Sequence, residues 1–335
     1  MLASQHELFE IPQGVTYLDC ARSAPLAKPV ILAGQEALAQ GPWNATRDQA
    51  GYEAARARAA RIIGAGCESV MLTPCPGPRL GLAVQGLALK REKTVLLLEG
   101  WADWPDLAGW SVANLARPRS GDWTEAVIKA LGNVSLAVLP HCHPADGSVL
   151  DLALIRQACD QAGVVLAVDC GLSLGVMPVD VAKVRPDFLF AAADKWLFCP
   201  PGVNIFYQDP ALGPCRACPE DQAPTGLWAM AEAGLGLVEG FGIQNIRATL
   251  TRISNRLGVA GQAFGLDSPP CPVRAPHILT LLPPRGHAPA LARAMASHKT
   301  FVGTGGEFLR LSPHLYIGDE DVERFTTTLA RCLCT

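Results

Sequence analysis

Residues Val164–Gly202 read VVLAVDCGLSLGVMPVDVAKVRPDFLFAAADKWLFCPPG, and the fold is decided by how this stretch is parsed. Val164–Val168 is an unbroken apolar run, the mark of a strand buried on both faces of a parallel sheet. Asp169 stands where that strand ends, and open α/β sheets bind their ligands at the carboxyl ends of strands, so this acid is a site candidate. A second strand, predicted over Asp187–Ala192, delivers Lys195 to the same edge. A carboxylate and an amine are thereby expected on neighbouring strand ends. Taken alone, the two residues also read as a helix cap and a surface lysine. The flanking residues distinguish the two readings.

Those flanking words are Val168-Asp169, Gly175, Pro178-Val179-Asp180, Asp187-Phe188, Lys195-Trp196-Leu197 and Pro200-Pro201-Gly202. Together they resemble the signature of class V aminotransferase-like, pyridoxal-phosphate-dependent enzymes, a group that includes cysteine desulfurases, kynureninases and sulfoxide lyases. The likeness extends from Tyr17-Leu18-Asp19 to Arg310-Leu311-Ser312-Pro313-His314-Leu315-Tyr316. It implies an α/β fold of the aspartate aminotransferase type (fold-type I). A large domain with a mostly parallel sheet is expected over residues 14–247, and a smaller α+β domain over 248–335, with 1–13 packing near it. It also implies pyridoxal 5'-phosphate as cofactor, with Lys195 as the Schiff-base lysine and catalytic residue, and Asp169 as the carboxylate that the pyridine nitrogen requires. An amino acid substrate follows, as does a homodimer, because sites in this family lie at a subunit interface.

Length and composition agree with small-molecule chemistry. At 335 residues the chain is long for one domain, and 49% hydrophobic against 18% charged residues provides for a large core. Lys+Arg 28 against Asp+Glu 31 leaves no positive excess for nucleic acid or an anionic membrane. The first residues, MLASQHELFEIPQG, carry early acids and no apolar core of a signal peptide, and no window reaches the ~18 apolar residues of a membrane span, so a cytoplasmic protein is expected. The 12 cysteines are scattered through apparent strands and helices and read as reduced, buried thiols. Cys215-x-x-Cys218 with Cys332-x-Cys334 lacks the short knuckle of a zinc site, and His141 with His143 lacks further ligands, so no metal is expected.

Further site residues follow from the resemblance. After a strand at Val70–Thr73, Pro74-Cys75-Pro76-Gly77-Pro78-Arg79 opens a helix at Leu80–Leu89. A glycine turn before a helix start offers free N–H groups and the positive end of the helix dipole to an anion. In the family this loop holds the cofactor phosphate; here prolines remove donors, and Arg79 with Gly77 is expected to carry the charge. Trp101, at the end of the strand Thr94–Glu99, matches the residue that stacks on the pyridine ring, with Trp104 as competitor. His143 holds the place of an Asn near the cofactor's phenolic oxygen. Arg310 corresponds to the arginine that grips the substrate carboxylate, and Arg22 is a second candidate for reaching substrate.

The chain departs from the family's pattern at Leu172, Ala192, Asp194 and Val203, each time losing a polar contact to the cofactor, and Asp194 would repel a phosphate it faced. Either Arg79, backbone groups and a residue of a second subunit such as Gln222 or Thr225 compensate, or affinity for the cofactor is weak. The alternative is a non-catalytic relative that keeps the fold for binding or assembly. Among enzymatic reactions, transamination and C–S or C–C lyase chemistry stay open. Desulfuration of cysteine is not expected, because the run His298–Leu309 before Arg310 holds no cysteine nucleophile; Cys271, in a Pro-rich connection, is the one thiol whose placement does not exclude it.

Overall fold

The strand read at Val164–Val168 forms at Val165–Asp169, in the middle of a seven-stranded sheet. The structure, a computed structural model, describes residues 1–40, 45–74, 80–84, 87, 92–101, 109–213, 223–269, 272–284 and 287–334. In chain order its elements begin with β1 (Thr16–Leu18), α1 (Lys28–Ala39), α2 (Ala45–Ile63), β2 (Val70–Thr73), α3 (Leu80–Val84), β3 (Thr94–Leu98), β4 (Ser111–Leu115) and α4 (Trp123–Ala130). Then come β5 (Leu136–Pro140), α5 (Leu152–Ala162), β6 (Val165–Asp169), α6 (Val181–Val184), β7 (Phe188–Ala192) and β8 (Asn204–Gln208). The chain finishes with α7 (Leu227–Phe241), α8 (Ile243–Gln262), β9 (Leu279–Leu281), α9 (Ala288–Ser297), β10 (Thr300–Gly305), β11 (Phe308–Leu311) and α10 (Asp319–Leu333).

The large sheet has the order β2-β8-β7-β6-β5-β3-β4, and only β8 runs against the others. Its central strands are apolar on both faces because helices cover both. Val95, Leu97, Leu136, Val138, Phe188 and Phe190 point to one face, whereas their neighbours Leu96, Leu98, Ala137, Leu139, Leu189 and Ala191 point to the other. Each fully buried Leu, Val or Phe contributes ~1.5–3 kcal/mol relative to leaving it exposed. The edge strand β4 escapes sequence reading: SVANL has no apolar run, and Val112 is exposed.

Local signals set the crossovers. Asp151 caps α5, accepting from the N–H groups of Ala153 and Leu154, and Gly163 closes the helix in the left-handed conformation. Asp187, one of the motif residues, bridges strand starts: its Oδ2 accepts from Leu166 N and from Arg156 Nη1, both at 2.7 Å. Helices α7 and α8 part at Gly242, where φ is +74°, while α7 runs straight through Gly240.

The second sheet has the order β1-β10-β11-β9. β1 pairs in parallel with β10, Thr16 opposite Thr300, so residues 16–18 join a sheet whose other strands come from the last third of the chain. The division expected between 247 and 248 falls inside α8, a single 20-residue helix. Strand pairing and helix continuity are settled by tertiary contacts between segments distant in the chain. Near the start of the chain, Gln5 N donates to Leu315 O at 2.8 Å.

Candidate active site

Four strands bring their carboxyl ends to one edge, and the candidate residues follow them. β6 ends at Asp169, which pairs with Phe190 of β7, and β7 runs out at Ala192, three positions before Lys195. The turn that carries Lys195 is held from several sides. Trp196 is 1% exposed, donates from Nε1 to Pro313 O at 3.0 Å and meets the His277 ring edge-on at 4.3 Å. Gly175, at φ +89°, lies so close that a Cβ there would stand 2.3 Å from Trp196 O. On the other side, a Cβ at Gly234 would reach 2.8 Å from the Phe198 carbonyl carbon. The glycine in the recognition words therefore admits the backbone that positions the lysine.

Asp169 accepts from Gly171 N at 2.7 Å and from the Trp101 indole, and it faces the charge of Lys195. Burial pushes its carboxyl above the ordinary value, against the lowering effect of the Gly171 N–H, the Lys195 charge and the Trp101 donor. A carboxylate offers about four acceptor positions, so a further donor such as a pyridinium N–H has a place. Trp101 is thus brought to Asp169.

Asp194 pairs with the neighbouring lysine. Its Oδ1 lies 2.9 Å from Lys195 Nζ, the two side chains being 21% and 15% exposed, so it faces the amine. Ala24 N donates to its backbone oxygen at 3.2 Å, which docks the segment after β1 against the lysine turn. Leu172, in place of a polar residue, turns its backbone oxygen to His277 Nε2 at 2.6 Å.

His143 lies at the end of β5, where both ring nitrogens have protein partners. Nε2 is 3.0 Å from Glu99 O, and Nδ1 accepts from Ala145 N at 3.3 Å, an arrangement that one neutral tautomer satisfies. The ring stacks on Trp123 at 4.6 Å and is 1% exposed, and burial holds its pKa below the ordinary value. The structure gives it a place inside a buried cluster with Asp146 and Arg117 and no nitrogen free for a cofactor oxygen.

Arg310 projects from β11. Nη1 donates to Pro144 O at 3.1 Å and Nη2 to Asp19 Oδ1 at 3.3 Å, while the buried Nε has no acceptor among the described residues. Asp19 is a partner that sequence reading did not single out; it lies 291 positions away, and no spacing signals such a pair. Arg79, Gly77, Trp104, Gln222, Cys215, Cys218 and Cys271 lie outside the described residues, and Thr225 is exposed. Among the described residues no group of three or more His, Cys, Asp or Glu is arranged to hold a metal, and no helix is long and apolar enough to cross a membrane. A cleft of about 700 Å³ opens elsewhere, between the starts of α4 and α5, with His141 in its wall; neither Asp169, Lys195 nor Arg310 lines it.

Comparison with known proteins bears on this arrangement. The chain is 28% identical over 218 residues to an uncharacterized aminotransferase, YcbU, of Bacillus subtilis, an alignment covering 60% of this chain and 57% of that protein. It thus spans little more than half the length of that relative. Its fold superposes on a ligand-free cysteine desulfurase of Thermococcus onnurineus with a TM-score of 0.82 at 19% identity, covering 99% of this chain and 98% of the other. A variant of C-DES with glycine covalently linked to its PLP cofactor superposes with a TM-score of 0.83 at 16% identity, covering 97% and 99%. The profile of the Aminotransferase class-V family matches residues 16–215, from β1 through the lysine turn to the end of the large sheet. With Asp169 and Lys195 on adjacent strand ends inside that match, the chain belongs to the class V aminotransferase family.

Proposed function

We propose that this protein is a pyridoxal-phosphate-dependent enzyme acting on an amino acid, of transaminase or C–S or C–C lyase type. The observation that carries the reading is the pairing of strand ends: β6 supplies the Asp169 carboxylate and β7 the Lys195 amine at one edge of the sheet. The donor set fits the cofactor, since an aldehyde needs an amine and a pyridine nitrogen needs a buried acid. Bound there, the cofactor supplies an electron sink for a carbanion at the substrate α-carbon.

The residues divide the remaining work. Asp169 keeps a protonated ring nitrogen paired inside a desolvated pocket. Lys195 moves the α-proton, standing on a turn fixed by Trp196, Gly175 and Gly234. Arg310 offers its guanidinium, whose Nε has no acceptor among the described residues, to the substrate carboxylate. Gly77 and Arg79 serve the phosphate in this proposal, and Trp101 closes the pocket over Asp169. The protein is proposed to work as a homodimer in the cytoplasm, in two lobes divided near α8.

The test is spectroscopic. Protein saturated with pyridoxal phosphate is expected to turn yellow and to yield, after borohydride, a cofactor-labelled peptide containing Lys195. Lys195→Ala abolishes the label. A colourless, unlabelled wild type at micromolar cofactor would support the non-catalytic alternative instead. With cysteine as substrate, no protein persulfide is expected, because β10 and β11 form a hairpin closed at Gly306 (φ +62°) without a thiol.

A further inference from the structure

The contact between Arg310 and Asp19 is weak for its kind. Charge-assisted Arg–carboxylate pairs close to roughly 2.7–2.9 Å and are often bidentate. Here one oxygen meets one nitrogen at 3.3 Å, with the side chains 13% and 10% exposed, and Nε is buried without an acceptor among the described residues. Gly303, directly opposite Arg310 in the β10–β11 ladder, makes the room: a Cβ there would stand 2.3 Å from Asp19 Oδ1 and 3.2 Å from Arg310 Nε. The guanidinium is thus held between Asp19, Pro144 O and a glycine, with donors to spare.

We propose that Asp19 is a proton-coupled gate on Arg310: an incoming carboxylate takes the guanidinium while Asp19 releases it and binds one proton from solvent. The inference rests on Arg310 receiving the substrate carboxylate. Local electrostatics favour the exchange, although the charge of Arg22 offsets some of the repulsion. One guanidinium neutralises one buried anion, and a second anion a few ångströms away is repelled without the screening of bulk water. No bond other than the Asp19 O–H forms, and the proton comes from solvent, so the charge of the site is unchanged. Asp19 is ready for this role because burial already raises its carboxyl, opposed by the charge and hydrogen bond of Arg310 and by the charge of Arg22. Tyr17 and Cys20, the titratable neighbours on its own segment, are both pushed up to about 12 and stay neutral in the working range.

The experiment uses the full chain loaded with pyridoxal phosphate and propionate as the probe, titrated calorimetrically between about pH 6 and pH 9 in two buffers of different ionisation enthalpy. Wild type is expected to take up close to one proton per propionate, its affinity falling about tenfold per pH unit above the Asp19 transition. Asp19→Asn is expected to bind without proton uptake, with a flat pH profile and more tightly than wild type at the alkaline end. Gly303→Ala, which drives a methyl group against the Asp19 carboxylate, should act in the same direction and serves if Asp19→Asn does not fold. Wild-type binding without proton uptake, an unchanged pH slope in Asp19→Asn, or no binding in either protein overturns the gate. If Arg310→Gln still binds propionate, the assignment of Arg310 fails. If Arg310→Gln loses binding while Asp19→Asn keeps the wild-type slope, only the gate fails.

Discussion

Asp169 shows how one side chain trades stability against function. Its carboxyl is raised in the folded protein, chiefly by burial, so in the window between the ordinary carboxylate value and the raised one the folded chain holds a proton that the unfolded chain has lost. Stability contributed by this group is therefore full at low pH and declines as pH rises through the folded value. Asp169→Asn, measured by urea unfolding across pH without cofactor, is expected to lose that decline and to lose saturable cofactor binding with it. An unchanged pH profile would contradict the assignment of the shift to this residue. The same logic explains why the carboxylate was legible: an acid at the end of an apolar run is costly unless something positive arrives. Asp19 was not legible as a partner, because its cation lies 291 residues downstream.

At the scale of elements, the lysine turn Ala193–Gly202 is the part with least freedom. Gly175 holds φ +89° with the Trp196 carbonyl where a Cβ would go, so Gly175→Ala combines a strained backbone with overpacking. A loss of roughly 2–4 kcal/mol is expected from those two effects. Chemical denaturation gives the number, and borohydride labelling of Lys195 should fall more than that of a control variant of equal stability. Equal labelling would show that the turn tolerates displacement. The motif glycine was visible in sequence. Its reason was not, since the carbonyl it accommodates is 21 positions away and comes near only when the residues after β6 pack under those after β7. Edge strand β4 was invisible for the opposite reason: half exposed, it lacks the apolar run that marks its neighbours.

Over the whole molecule, the buried His141, His277 and His314 lie on the segments that follow β5, precede β9 and follow β11. Burial lowers His141 and His277 to about 4 and His314 to about 3, and His277 meets the lysine turn through Trp196. Each folded value lies below the ordinary value of ~6.5, so the unfolded chain takes up protons first and stability is lost as pH falls through the window from about 6.5 towards 4. Each histidine adds a slope of about 1.4 kcal/mol per pH unit inside that window, and Asp19 and Asp169 act in the opposite sense. His277→Gln should remove about one proton from the slope of unfolding free energy against pH; a slope equal to wild type would exclude His277 from the acid transition. The amino-acid sequence by itself determined the strand and helix alternation, the parallel sheet, the family, and the two residues on adjacent strand ends. These depend on apolar runs and on short words whose members are neighbours in the chain. Tertiary structure alone decided that β1 joins the small sheet, that His143 is spent on Glu99 and Ala145, that Asp194 faces Lys195, and that Asp19 sits on Arg310. Most of these are contacts between distant segments, and Asp194 with Lys195 is a choice of side-chain direction; such choices are made by packing, which brings groups together without leaving a periodic trace in either segment.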